Sequence, residues 1–227
     1  MTNCCLVTGG SRGIGRETVD LLRSSGWEVD APLRSELDLL NPVSINDYFA
    51  DRNRAPYRGF VHSAGINTPQ QFDAADASGV RDIWQVHVEG ARQILQLIAP
   101  DLRAAGGRVV LVSSLYAGVA RMGRSSYSMS KAALEALARG LAVEWASDGV
   151  LVNAVRPGYV RTDMTMQNNS SQALDTLIGL IPLGRLAEPN EVAEVIRFLM
   201  SRQNTYLTGQ VISLDGGLSA GAQPWNR

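Results

Sequence analysis

A doubly wound α/β fold, with one parallel sheet covered by helices on both faces, is predicted by three observations. Short, continuously apolar runs alternate with longer segments of helical periodicity along the whole chain. The first apolar run, Cys4–Thr8, passes directly into a glycine-rich turn and then a helix. No internal repeat or low-complexity linker interrupts the alternation. At 227 residues the chain matches a single domain spanning 1–227.

Cys4-Cys5-Leu6-Val7-Thr8 lacks polar alternation, the mark of a strand buried on both faces. Residues 14–24 put Ile14, Thr18, Leu21 and Leu22 on one side of a helix that Gly26 stops. Residues 27–31 form the second strand. The next connection is short: 32–35 cannot hold a helical crossover, which normally needs about a dozen residues. Leu37-Asp38-Leu39 therefore reads equally as an edge strand on a tight link or as an extended loop. Pro42 opens a helix to about Asn53, and 59–62 is a strand. Apolar positions 80, 83, 84, 91, 94, 95 and 98 mark a long helix with one buried face, and His87 falls on that stripe with Val80, Trp84 and Ala91. A strand at 108–113, a helix at 126–145, a strand at 150–155, a helix after Pro189 and a strand at 210–214 complete the series. Such sheets bind ligands beyond the carboxyl ends of their strands.

Lys and Arg total 21 against 22 Asp and Glu, a net charge of −1. That balance lacks the clustered positive charge on which nucleic-acid binding rests. Cys4 and Cys5 are neighbours in an apolar run and the only histidines are His62 and His87. These residues point to reduced thiols, not to a disulfide framework or a metal site. No apolar stretch approaches the roughly 18–20 residues that span a bilayer. Strand-like sequence from Asn3 leaves no room for a leader, so the expectation is a cytoplasmic protein without nucleic-acid or membrane partners.

Thr8-Gly9-Gly10-Ser11-Arg12-Gly13-Ile14-Gly15 joins the first strand to its helix, where backbone N–H groups and the positive helix end can receive a phosphate. The continuation Gly15-Arg16-Glu17 lacks the Lys-Ser/Thr of a P-loop, which argues against an NTPase. Tyr127 and Lys131 are four apart and share a helix face. An ammonium near a phenol favours the phenolate, lowering a pKa of about 10 toward neutrality. Ser114 ends the preceding strand and brings its hydroxyl to the same rim. One hydroxyl can polarise a carbonyl oxygen while the other supplies its proton.

Together these segments resemble the short-chain dehydrogenase/reductase family over nearly the whole chain, with 3-oxoacyl-carrier-protein reductases among its members. The matching pieces are 8–15, Ser63-Ala64-Gly65, Ser113-Ser114, Tyr127-Ser-Met-Ser-Lys131, Val152-Asn-Ala-Val-Arg-Pro-Gly158 and 207–217. The resemblance implies a Rossmann fold, with Tyr127 as acid/base, Ser114 positioning the substrate carbonyl, and Lys131 tuning Tyr127 and holding the nicotinamide ribose. It assigns the cofactor to Gly9, Ser11, Arg12, Gly13, Ile14, Gly15, Ser63, Ala64 and Gly65. Pro157, Gly158, Val160 and Thr162 border the nicotinamide, and Asp38 and Leu39 meet the adenine. His87 stands where many members carry an asparagine of the proton path. It is read either as a fourth catalytic residue, since histidine relays protons near neutrality, or as a hydrogen-bonded core residue.

An acidic residue after the second strand selects NAD by binding the ribose 2′-hydroxyl. Leu33 and Arg34 stand at the matching place and the glycine loop adds Arg12, so NADP(H) is the expected cofactor. A lid at about 162–185 offers Met164, Met166, Leu177, Ile178 and Leu180 to an apolar pocket. Arg121 and Arg124 lie near its mouth, as solvated charges or as receptors for an acidic substrate or carrier. The reading is a reductase of a small-molecule or carrier-bound ketone; its alternative is a dinucleotide-binding regulator without chemistry. Small residues Ala132, Ala136 and Gly140 on a second face of the 126–145 helix suit a homo-oligomer, a tetramer or dimer.

Overall fold

The computed structural model describes residues 3–50, 54–167 and 169–221. Among the described residues six strands form one sheet: β1 (Cys4–Thr8), β2 (Glu28–Asp30), β3 (Tyr57–His62), β4 (Arg108–Val112), β5 (Leu151–Pro157) and β6 (Val211–Leu214). Their order is β2-β1-β3-β4-β5-β6 and every neighbouring pair is parallel. The chain leaves β1 toward one edge and returns to build the other from β3 onward. The loops after β1 and β3 consequently diverge at a switch point, where a crevice opens beyond the strand ends.

Side chains alternate between two cores, as successive strand residues must. Cys4 and Leu6 of β1, Phe60 of β3, Val109 and Leu111 of β4 and Val152 and Ala154 of β5 face one layer. That layer comprises α2 (Pro42–Ala50), α4 (Gly90–Ala105) and α5 (Ser125–Glu144). Cys5, Val7, Val61, Val110 and Val155 face the other, covered by α1 (Gly13–Ser24) and α8 (Pro189–Met200). Burial on both faces explains why the strands read as unbroken apolar runs. Local signals set the helix ends. Gly106 closes α4 with φ +56°; Pro189 begins α8 behind a capping box in which the Glu188 N–H donates to Glu191 at 2.8 Å.

Residues 37–39 form no strand. Leu37 and Leu39 are buried against the α2 and α4 layer, and the segment spends its backbone bonds locally. The Leu37 N–H donates to Leu33 O at 3.0 Å, Asp38 N–H to Ser44 Oγ at 3.0 Å and Leu40 N–H to Asp38 Oδ1 at 3.0 Å. β2 is the sheet edge, with this plug filling the space beside it. The helix expected to reach Asn53 is described as far as Ala50; 51–53 lie outside the described residues.

The long helix through residue 98 also differs from its expected stripe. α3 (Ala77–Trp84) is joined to α4 by a π-helical turn, Gln85–Glu89. The wider turn changes the phase, so Val86, His87 and Val88 are all buried while Trp84 is 40% exposed. Residues 162–185, expected to form a lid, contain α6 (Asp163–Gln167) and α7 (Ser171–Leu180).

One polar knot crosses three elements. Glu135 of α5, buried on the helix's inner face, takes both Arg156 Nε at 2.8 Å and Arg156 Nη2 at 2.6 Å from β5. Ser113, just after β4, donates to the same carboxylate at 2.8 Å. Removing one partner of a buried pair strands the other charge and costs about 3–5 kcal/mol. Glu135→Ala is accordingly expected to lower the unfolding free energy by about that much in urea titration. Arg197→Ala, which breaks the exposed pair with Glu194, should cost less than about 1 kcal/mol.

His62 ends β3 fully buried, with Thr8 Oγ1 2.8 Å from its Nδ1, and burial pushes its pKa down to about 3. The unfolded chain binds its proton from about pH 6.5 downward while the folded one stays neutral, so stability falls as pH drops from about 6.5 toward 3. The expected loss is on the order of 2 kcal/mol by about pH 5. Urea titrations across this range should show it, and His62→Gln, which does not titrate, should reduce the slope and leave the part due to the second buried histidine, His87.

Candidate active site

The glycine loop lies where the sheet order reverses. Gly9 has φ +73°, and a Cβ on it would stand 2.6 Å from the Ala64 backbone nitrogen. The loops after β1 and β3 therefore touch backbone to backbone. A Cβ on Gly15 would stand 2.1 Å from Gly9 O, which allows α1 to begin tight against the turn. Arg12 occupies the helix N-cap without a side-chain cap, and the first turn of α1 holds no acidic residue. Its leading N–H groups thus face the crevice with the positive end of the helix, the arrangement that suits an anion.

The loops after β1, β2, β3, β4 and β5 and the start of α5 close around one cleft of about 360 Å³. Among its lining are Gly9, Ser11, Arg12, Gly13, Ile14 and Gly15 from the first loop, and Arg34, Asp38 and Leu39 from the short connection. Ser63, Ala64 and Gly65 enter from β3, Ser114 from β4, Tyr127 and Lys131 from α5, and Pro157, Gly158, Val160 and Thr162 from β5. Its volume lies in the usual range for a small-molecule site. Arg34 extends mostly into solvent at the rim, with its Nε 3.4 Å from Asp38.

The two α5 residues owe their position to the helix repeat, which stacks Tyr127, Lys131 and Glu135 on the face turned to the sheet. Lys131 Nζ donates to Val112 O at 2.9 Å and lies 5.7 Å from the centre of the Tyr127 ring. Burial lowers the Lys131 pKa to about 7, placing its proton in play near neutrality. For Tyr127 the expected lowering is not found in the chain by itself. Burial pushes the phenol up, with the Ser114 hydroxyl and the Arg124 charge opposing, because the cost of desolvating a phenolate is the larger effect. Ser114 Oγ accepts from the Tyr116 N–H at 3.3 Å.

His87 does not line the cleft; it sits behind it, fully buried in the π-helical turn. The Ile66 N–H donates to its Nε2 at 3.0 Å, so the ring proton is on Nδ1 and is directed to Ser130 Oγ at 2.8 Å. Ser130 in turn donates to Tyr127 O at 2.7 Å. The imidazole also meets the Tyr127 ring edge-on at 5.4 Å between centres. Burial, with Lys131 and His62 nearby, holds the ring well below its ordinary pKa. Neutral His87 ties the β3 loop to the helix carrying Tyr127.

Three features escape the sequence reading. Glu135 is visible there only as an acid four residues beyond Lys131 among apolar positions. Asp30, the last residue of β2, is the acid that the cofactor rule looks for, yet it does not line the cleft. Its carboxylate accepts from Tyr48 at 2.7 Å, from Arg54 at 2.9 Å and from Tyr57. Tyr116 and Tyr159, whose hydroxyls are 3.1 Å apart, form a polar wall beside Tyr127.

Residues 30–219 match the family model described as enoyl-(acyl carrier protein) reductase. A tropinone reductase homologue of Arabidopsis thaliana is 33% identical, the alignment covering 94% of this chain and 74% of that one. A 3-oxoacyl-[acyl-carrier-protein] reductase of Aggregatibacter actinomycetemcomitans is 30% identical over 96% of this chain and all of that protein (100%). Among solved structures, one described as a short chain dehydrogenase/reductase family protein superposes with a TM-score of 0.87 at 29% identity, covering 96% of this chain and 97% of that one. With this much of the chain matched in sequence and fold, it belongs to the short-chain dehydrogenase/reductase family of oxidoreductases.

Proposed function

We propose that this chain is an NADP(H)-dependent carbonyl reductase, acting reversibly on a ketone. The observation that carries the reading is the convergence of Ser114, Tyr127 and Lys131 on the cleft that also holds the glycine loop. Gly9 and Gly15, whose Cβ positions are taken by the Ala64 backbone and Gly9 O, draw the turn tight against the start of α1, whose leading N–H groups suit a pyrophosphate. Gly9, Ser11, Arg12, Gly13, Ile14 and Gly15 would hold it, with Asp38 and Leu39 toward the adenine and Ser63, Ala64, Gly65, Pro157, Gly158, Val160 and Thr162 along the remainder. When bound, the nicotinamide supplies or takes up a hydride at the substrate carbon.

The chain's own groups manage the oxygen. Ser114 Oγ donates to the substrate carbonyl and fixes its direction, and Tyr127 delivers the phenolic proton as negative charge grows there. In the reverse direction Tyr127 withdraws that proton from an alcohol. A Lys131 ammonium that loses its proton near pH 7 is matched to replenishing the phenol. His87 acts as a positioning residue through Ser130 and the Tyr127 carbonyl. The relatives' names include both carrier-bound and small-molecule ketone reductases, so both substrate types belong to the reading.

Phosphate recognition at the ribose is assigned to Arg12 and Arg34, with Asp30 occupied by Tyr48, Tyr57 and Arg54 away from the cleft. Assembly into a dimer or tetramer is assigned to the outer face of α5, where Ala136 and Gly140 are exposed with Met129 and Val143. The buried free thiols Cys4 and Cys5 are compatible with the reducing cytoplasm. No helix of the described residues is long and apolar enough to cross a membrane.

A panel of ketones and 3-oxoacyl thioesters followed by NADPH absorbance tests the activity. Tyr127→Phe should cut turnover roughly 10²–10⁴-fold while NADPH still binds; tight cofactor binding without turnover of any substrate would favour a regulator. By calorimetry, NADPH should bind more tightly than NADH. Arg12→Gln with Arg34→Gln should erase that difference, and equal affinities in the native protein would refute the assignment.

A further inference from the structure

The loop between Ser114 and α5 carries two arginines that the preceding mechanism leaves unused. Arg124, the residue before α5, is only 7% exposed, and its Nη1 is buried with no hydrogen-bond partner among the described residues. Arg121 is half-buried, with Nη1 donating to Tyr116 Oη at 2.6 Å. The two guanidinium carbons lie 5.9 Å (Arg121) and 5.8 Å (Arg124) from the centre of the Tyr116 ring. Tyr116 in turn packs edge-on against Tyr127, its ring centre 6.3 Å away.

What surrounds this pair is aromatic and uncharged. Neither arginine has a carboxylate within ion-pair distance among the described residues, although nine such pairs occur elsewhere. The contrast with Arg156, held by both oxygens of Glu135, is direct. Buried charges are ordinarily paired, because an uncompensated one loses its hydration without return. Here two positive charges share one aromatic wall, one of them almost wholly out of water and three residues from Tyr127. Arginine presents its donors as a planar fork suited to a carboxylate.

We propose that the substrate is an oxo acid, whose anionic group, a carboxylate in the simplest case, is received by Arg124 with Arg121 beside it, on the Tyr116 ring that packs against Tyr127. This rests on the carbonyl reductase reading and narrows it. The burial of Arg124 favours a small anion that enters the site over the acidic surface of a carrier protein, which would meet only exposed side chains. Anchoring the acid a few bonds from the carbonyl aligns that carbonyl with Ser114 and Tyr127, so binding at the arginines is expressed as orientation at the reacting carbon.

The test compares 2-oxo, 3-oxo and 4-oxo carboxylates of matched chain length with their methyl esters and with a 3-oxoacyl pantetheine thioester, all with NADPH. For at least one chain length the native protein should prefer the acid to its ester in kcat/KM by roughly tenfold to a hundredfold, the range a charge-assisted bond to a buried group supports. The acid-to-ester ratio should fall toward one in Arg124→Gln and recover partly in Arg124→Lys. Should Arg124→Gln fail to fold, butanoate should inhibit ester reduction by the native protein and butanamide should not. Equal use of acid and ester, an unchanged ratio in Arg124→Gln, equal inhibition by butanoate and butanamide, or turnover of the thioester alone would each overturn the proposal. Reduction of neutral ketones alone would refute it and leave the reductase reading intact, whereas no turnover of any compound would remove both.

Discussion

Glu135 receives hydrogen bonds from the end of β4 and from β5 while standing on α5, and the geometry of the cleft follows from that junction. Because Tyr127, Lys131 and Glu135 recur every four residues on one helix face, locking Glu135 fixes the axial position and rotation of the other two. Ser113 binds the carboxylate, and its neighbour Ser114 is carried to the rim by the same strand end. A carboxylate eight residues beyond the tyrosine thus aligns two elements distant in sequence. A pair of apolar side chains would supply comparable packing, but not the same directional register.

Around this junction the protein keeps several titratable groups in their neutral forms. His62 and His87 are fully buried, with pKa values driven down by desolvation. Lys131 has a single described hydrogen bond, to Val112 O, and is poised near pH 7. Burial raises Tyr127 and lowers Lys131, so two proton affinities that are close in water separate, with the phenolate becoming the stronger base. A proton on Lys131 then passes downhill to a Tyr127 phenolate, the direction that restores the phenol. The neutral histidine network matters because an imidazolium beside Lys131 would depress that ammonium further.

The short connection after β2 shows how a missing element is replaced. Leu37 and Leu39 fill apolar space at the edge, and the intervening turn finds its own hydrogen-bond partners, among them Ser44. The same compactness draws Arg34 and Asp38 within 3.4 Å of each other at the cleft's rim. Packing and the placement of a charge at the cleft are therefore coupled there: the residues that close the core also set where the guanidinium stands.

Alternation of apolar runs with helical stripes determined the doubly wound sheet, since double-sided burial leaves few other solutions. The glycine spacing and the Tyr127–Lys131 repeat likewise marked one rim, because each depends on local backbone geometry. Only the tertiary structure decided what depends on contacts across the chain. Residues 37–39 became a plug because their backbone groups were satisfied locally. Trp84 turned outward because a π-helical turn shifted the stripe, and Asp30 was claimed by Tyr48, Tyr57 and Arg54. Local periodicity determines which face a residue takes, whereas its partner depends on elements that meet only when the sheet assembles.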